Sequence, residues 1–558
     1  MHNKRGYTLL IALALLWLGT GATPVDNGAF ADLVDRHKRV MLPIADAFHR
    51  YPMKLTYAEG DPAHGKQNTF YWQYGKFRQE FHWLGFIEVF GYNGRDHWYG
   101  SNQLLPFRLD YGKGPDITSQ RVGYFAYLQP DQLPYLQPAY DVPLALDSDY
   151  TVLRYAPPEM SEVLLLLDPQ DLRLAGMLQG SERQLGGSAL FRLTTYENWQ
   201  EYTSCWYPEM IRSVTFTREG APIMAPNGND PLERLITTQS VTTHPPLADE
   251  QFYSTSAPAV SRPELPTVPF EAPFYYAKDR TVVLRCLGPD GRRYRLELDT
   301  GANVGLLTNR VARQLGLEPV GAERVTGHGG AAEVRYAWVE GFTLEGLKNG
   351  EDLKLPPWLA AVLSEQNGME EALQDNGVSG LLSTFLLNSY VVKLDYRRRV
   401  ITLYPPEQFD PERHLQAGYY AVPAHRDQMP YVDITVSGAG SIRGGAFFNT
   451  GSQQYFTMVA WAVEAGEIAF EPEKFTIGET IDGTKAFFVI TPEQIQLGDL
   501  TITPDTAIDP SETCHMEMLA PGEPPNPNRI ANFGNKFLEG RAITFDLFHE
   551  VIYLEGTW

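Results

Sequence analysis

Cysteine is scarce in this chain: three in 558 residues, at positions 205, 286 and 514, with no Cys-x-x-Cys pair. That excludes a disulfide scaffold and a cysteine-rich zinc site, and the odd count leaves at least one thiol unpaired within a monomer. Cys286 lies in an apolar strand pattern and reads as a small buried hydrophobe. Basic residues are also in deficit, 46 Lys and Arg against 68 Asp and Glu, for a net charge of −22. So acidic a chain, with no basic run, repels phosphate backbones, and nucleic acid is not an expected partner. Several chemical signatures are missing: His-Glu-x-x-His, Gly-x-Ser-x-Gly, and a phosphate-binding Gly loop ahead of Lys-Ser/Thr. No metal or cofactor is expected. Asp427, Asp433, Asp482 and Asp499 fall near turns or strand ends and read as solvated.

Long hydrophobic runs are absent beyond the first residues. Leu9–Leu18 is apolar, follows Lys4 and Arg5, and leads into Thr20-Gly21-Ala22, with Pro24 next. A basic start, a short apolar core and a small-x-small end read as a secretory signal peptide over residues 1–22. The run is about half the length that a spanning helix needs. Loss of Lys4 and Arg5 with that segment would take the charge to −24. The mature chain is therefore expected to be exported, periplasmic or secreted, with no integral membrane span.

The remaining chain, 43% hydrophobic and 12% aromatic, reads as globular and mainly β, α+β overall. Residues 23–243 form the expected N-terminal α+β domain. Phe30, Leu33, Val34, Val40, Met41, Ile44 and Phe48 recur at helical spacing, and short aromatic-rich strands follow from about residue 52. Residues 244–274 carry Pro245, Pro246, Pro258, Pro263, Pro266, Pro269 and Pro273, and read as an extended linker.

Beyond the linker the order of features occurs twice. In residues 275–410, an alternating strand delivers Asp299-Thr300-Gly301-Ala302, a helix-like stretch follows, and Gly380-Leu381-Leu382 precedes two strands. In residues 411–558, a strand delivers Asn449-Thr450-Gly451-Ser452, and Asn532-Phe533-Gly534-Asn535 precedes the last two strands. Taken alone, either triplet reads as a polar-capped turn from strand to helix.

In this order the motifs resemble the retropepsin-like aspartic peptidase family. The segments carrying the likeness are Leu296–Ala302, Gly380–Leu382 and Val391–Tyr396, then Phe447–Ser452, Gly534–Leu538 and Ile543–Asp546. The resemblance covers residues 275–556. It implies two closed β-barrel lobes face to face about a twofold axis, and an extended polypeptide as substrate or ligand. It also implies a pair of carboxylates sharing one proton, the ionised one activating water and the protonated one polarising the peptide carbonyl. Thr300 would hydrogen-bond across the paired loops, and Gly301 would let a backbone amide approach the carboxylate. Thr326-Gly327-His328-Gly329-Gly330 falls where the family has its flap, with His328 as a solvated turn residue.

Asn449 departs from that pattern, since an amide can donate a hydrogen bond to Asp299 but cannot carry the proton. Three readings stay open: a pseudo-enzyme that grips extended peptides or lipid-modified partners, a homodimer that pairs two Asp299 carboxylates, or an amide serving as a weaker substitute. In the N-terminal part, Gly91–Gly94 with Trp98, Val163–Leu167 with Asp168-Pro169, and Tyr202 with Tyr207-Pro208 resemble LolA-like lipoprotein-carrier folds. That resemblance implies a curved antiparallel sheet around a helix, whose aromatic residues serve either as core or as a lipid groove.

Overall fold

A computed structural model describes residues 27–556, apart from 60–65, 84, 93–96, 102–106, 110–121, 124, 140–141, 143–148, 158–161, 186–187, 218–221, 223–232, 249–261, 303, 328–329, 349–350, 365–367, 428, 481–482 and 518–528. The leader-like segment 1–22, His328 and Gly329 lie outside the described residues. The protein is mainly β, with large antiparallel sheets.

Helix α1 spans Asn27–Arg50. Its His37, Met41, Ile44, Ala45 and Phe48 are buried, a spacing that puts all five on one stripe. The stripe packs on a 13-stranded antiparallel sheet, against Leu55, Phe70, Trp72, Leu165 and Tyr207 among others. Buried His37 is satisfied there: its Nδ1 lies 2.7 Å from the Leu172 carbonyl oxygen and its Nε2 2.9 Å from the Tyr127 hydroxyl. Burial lowers its pKa, so it packs as a neutral ring.

The Pro-rich segment needs a correction at its end. Phe270–Tyr276 is a strand, although it carries Pro273. Phe270–Pro273 pair with Val400–Leu403, and Phe274–Tyr276 pair with Val282–Leu284, so the proline sits where the strand changes partner. A missing N–H is tolerated at such a crossing.

From Phe270 onward two halves show matching pairings. Arg293–Leu298 pairs antiparallel with Val282–Leu287 and parallel with Gly380–Leu382. Ser441–Phe448 pairs antiparallel with Met429–Ser437 and parallel with Ala531–Phe533. The halves are joined where Val392–Asp395 pair antiparallel with Ala542–Phe545. One apolar core runs through both, from Leu284, Leu296 and Leu298 to Phe448, Phe533 and Ile552. Among the described residues these pairings form an open, branched sheet; no pairing closes either half into the expected barrel. All three cysteines are buried and free, Cys286 in the core.

Candidate functional site

Alternation along Arg293–Leu298 sends Leu296 and Leu298 into the core, and the strand ends at Asp299. The Asp299 N–H donates to the Leu382 carbonyl at 2.9 Å. In the second half, Ala446 and Phe448 enter the core and the Asn449 N–H donates to the Phe533 carbonyl at 2.8 Å. The Gly380-Leu381-Leu382 strand and its counterpart Ala531–Phe533 thus fix where the two polar side chains stand.

Thr300 and Thr450 then lock one loop to the other. The Thr300 N–H donates to Thr450 Oγ1 at 3.0 Å, and the Thr450 N–H donates to Thr300 Oγ1 at 3.0 Å. Each hydroxyl also donates to a carbonyl of the opposite half, Thr300 to Phe448 and Thr450 to Leu298. Both threonines are fully buried.

The glycines have a role that the sequence did not reveal. A Cβ on Gly301 would stand 2.7 Å from the amide carbon and Nδ2 of Asn449. A Cβ on Gly451 would stand 2.5 Å from the Asp299 carboxyl carbon. Each glycine therefore makes room for the polar side chain of the other half. The expected amide approach is present as well, since the Gly301 N–H donates to Asp299 Oδ1 at 2.8 Å. Gly451 N–H donates likewise to Asn449 Oδ1 at 2.9 Å. A backbone donor requires an acceptor, which fixes the oxygen of Asn449 and leaves its NH₂ beside Gly301.

Ala302 and Ser452 complete the two turns, with N–H groups donating to Asp299 O at 3.3 Å and Asn449 O at 3.2 Å. Gly327 and Gly330 form the last pair of an antiparallel hairpin, Gly321–Gly327 with Gly330–Val339. A second hairpin, Ala469–Thr480 with Gly483–Thr491, occupies the matching place in the other half. The sequence reading missed it, although Phe475 and Ile477 alternate ahead of the turn. Asp433 is exposed and holds Arg443 at 3.0 Å, and Asp499 is exposed.

Asp299 keeps partial access to solvent but is ringed by protein. Burial pushes its carboxyl up to about 6, against the Gly301 N–H and the Arg529 guanidinium, which both favour the ionised form. Glu297, two residues back and buried, is pushed well above the usual carboxylate range by burial, then by Asp299 and Asp279. Arg529 lies over the Phe447 ring at 5.4 Å. Asn535 donates to the Thr450 carbonyl at 2.6 Å and accepts from the Tyr396 hydroxyl at 2.7 Å. Sequence reasoning assigned nothing to Arg529 or Glu297; Glu297 is a charge between Leu296 and Leu298, whereas Arg529 follows a Pro- and Asn-rich loop and carries no local signal. Among the described residues no group of His, Cys, Asp and Glu could hold a metal ion.

Residues 287–365 match the family described as aspartyl protease, a span that includes Asp299 and the first hairpin. No curated protein matches the chain. A solved structure, the LolA superfamily protein from Nitrosomonas europaea, is similar at 13% identity and a TM-score of 0.26, covering 40% of this chain and 97% of that one.

Proposed function

We propose that the chain is an exported, retropepsin-like aspartic endopeptidase built from tandem lobes, acting on extended polypeptides at Asp299. The observation that carries this reading is the reciprocal Thr300–Thr450 lock, which sets Asp299 and Asn449 opposite each other within one chain. The aspartyl protease match over residues 287–365 supports the same chemistry.

The ionised Asp299 takes a proton from a water molecule as the water oxygen attacks the peptide carbonyl carbon. The Asn449 NH₂ donates a hydrogen bond to the developing oxyanion. Asp299 then returns its proton to the leaving nitrogen as the C–N bond breaks. Asn449 polarises without transferring a proton, so turnover is slow. A homodimer pairing two Asp299 residues would require the buried Thr300–Thr450 bonds to open, which disfavours that arrangement.

A second reading, favoured by Asn449 itself, is a pseudo-peptidase that holds an extended peptide without cutting it. Hydrolysis of unfolded polypeptide by the wild type and by Asp299→Asn decides between them. Cleavage that Asp299→Asn abolishes supports the peptidase; peptide binding without cleavage supports the pseudo-peptidase. Export is tested by fractionating expressing cells and sequencing the mature N-terminus, expected after residue 22.

A further inference from the structure

Beside Asn449 runs a row of side chains that faces away from the core. Phe447 pairs with Asn532, Asn532 with Thr457, Thr457 with His515, and His515 with Val489. The alternate row of the same strands, Phe448, Phe533, Phe456, Cys514 and Ile490, lies wholly in the core. Directly paired residues share a sheet face, so Asn532, Thr457 and His515 stand side by side on the face opposite the core. They are nonetheless buried, at 8%, 1% and 8% exposure. Among the described residues, Asn532 Oδ1, Thr457 Oγ1 and His515 Nδ1 have no hydrogen-bond partner.

Leaving one buried polar atom unpaired is destabilising, and three adjacent ones call for an explanation. The matching row in the first half is Glu297, Leu381, Leu306, Ala361 and Tyr336, and Leu373 packs on its two leucines. Apart from Glu297 and the Tyr336 hydroxyl it is apolar, so the polar row is particular to the half that carries Asn449.

The chemistry of the three atoms is specific. Burial lowers the pKa of His515 and keeps its ring neutral, against the pull of the Thr513 backbone, so one ring nitrogen donates and the other accepts. Nδ1 takes either role with the tautomer, Asn532 Oδ1 accepts, and the Thr457 hydroxyl donates or accepts. A ligand that completes the row carries both N–H donors and an acceptor on one neutral group. A primary carboxamide is that group, and it also fits with the Asn532 amide turned over. We propose that Asn532, Thr457 and His515 form a side-chain subsite for a Gln or Asn residue of the extended peptide bound between Asp299 and Asn449, an inference that rests on the function proposed above.

The test is binding of fluorescent extended peptides to the full chain, each position varied in turn among Gln, Glu, Leu and Lys. One position should prefer Gln over its competitors by about 5–10-fold in Kd, the range expected for one or two net hydrogen bonds. Asn532→Leu and Thr457→Val should flatten that preference and leave those at other positions unchanged. Thr457→Val, nearly the same shape, should also raise the melting temperature of the free protein. Should Asn532→Leu fail to fold, Thr457→Val carries the test alone. The subsite is overturned if peptides bind without a Gln preference at any position, or if the preference survives either variant. It is equally overturned if Thr457→Val lowers the melting temperature, since an ordered water would then be satisfying the row. A chain that binds no peptide overturns the proposed function, and this subsite with it.

Discussion

Thr300 and Thr450 each donate a backbone N–H to the other's side-chain oxygen at 3.0 Å, although 150 residues separate them. The pair makes the two turns one buried object, so the positions of Asp299 and Asn449 are set jointly rather than by either half alone. Its weakness is chemical rather than geometric: the position opposite Asp299 holds an amide.

Restoring the carboxyl is therefore the most direct test. Asn449→Asp should raise peptide hydrolysis by about 10²–10⁴, the usual contribution of a positioned proton donor. Asp299→Asn in that background should abolish it. Initial rates on an unfolded polypeptide measure both.

The pH dependence should invert between the two proteins. In the wild type Asp299 must ionise to act as base, so hydrolysis should rise as pH climbs through about 6. With Asn449→Asp two facing carboxyls share a proton, and the optimum should move to acid. A wild-type rate that falls across pH 5–7 would count against Asp299 as the base.

Stability should follow the same group. The folded carboxyl of Asp299 titrates near 6, above its unfolded value. Its contribution is thus complete below about pH 3.8 and lost as pH rises through 6. Asp299→Asn should stabilise the protein at pH 7.5 by roughly 1–2 kcal/mol, a figure reduced for partial solvent exposure, and change little at pH 4. The amide fits, because Asn449 already accepts from Gly451 in the mirrored position. Urea unfolding at the two pH values measures the difference.

Gly451→Ala would place a methyl 2.5 Å from the Asp299 carboxyl carbon. The clash is with a side chain held by Gly301, so we expect a loss of about 1–3 kcal/mol together with impaired peptide binding. Denaturant unfolding and peptide titration report the two effects separately.

Tyr396→Phe removes the donor to Asn535 Oδ1 and leaves a buried acceptor unpaired. A loss of about 1–3 kcal/mol is expected. Because Asn535 supports the Thr450 carbonyl, peptide affinity should fall as well, which isothermal titration would show.

The sequence by itself determined the two strand-to-turn units. Alternation to Leu298 and to Phe448, a polar residue, then Thr-Gly, is a local pattern, and local patterns survive without knowledge of partners. It also marked the Pro-rich segment, though not that Pro273 lies within a strand, because only the partner change near Val400 makes a proline acceptable there. Tertiary structure alone decided what surrounds the site. Asn535 and Tyr396 lie in segments that the sequence already marked, but nothing local announces the Tyr396–Asn535–Thr450 hydrogen bonds, and nothing local marks Arg529. Asn532 opens a marked segment, yet, like Thr457 and His515, it reads as an ordinary strand residue until pairing brings three strands side by side. Cross-strand register, set by packing of the alternate residues in the core, turned scattered polar side chains into one row beside Asn449.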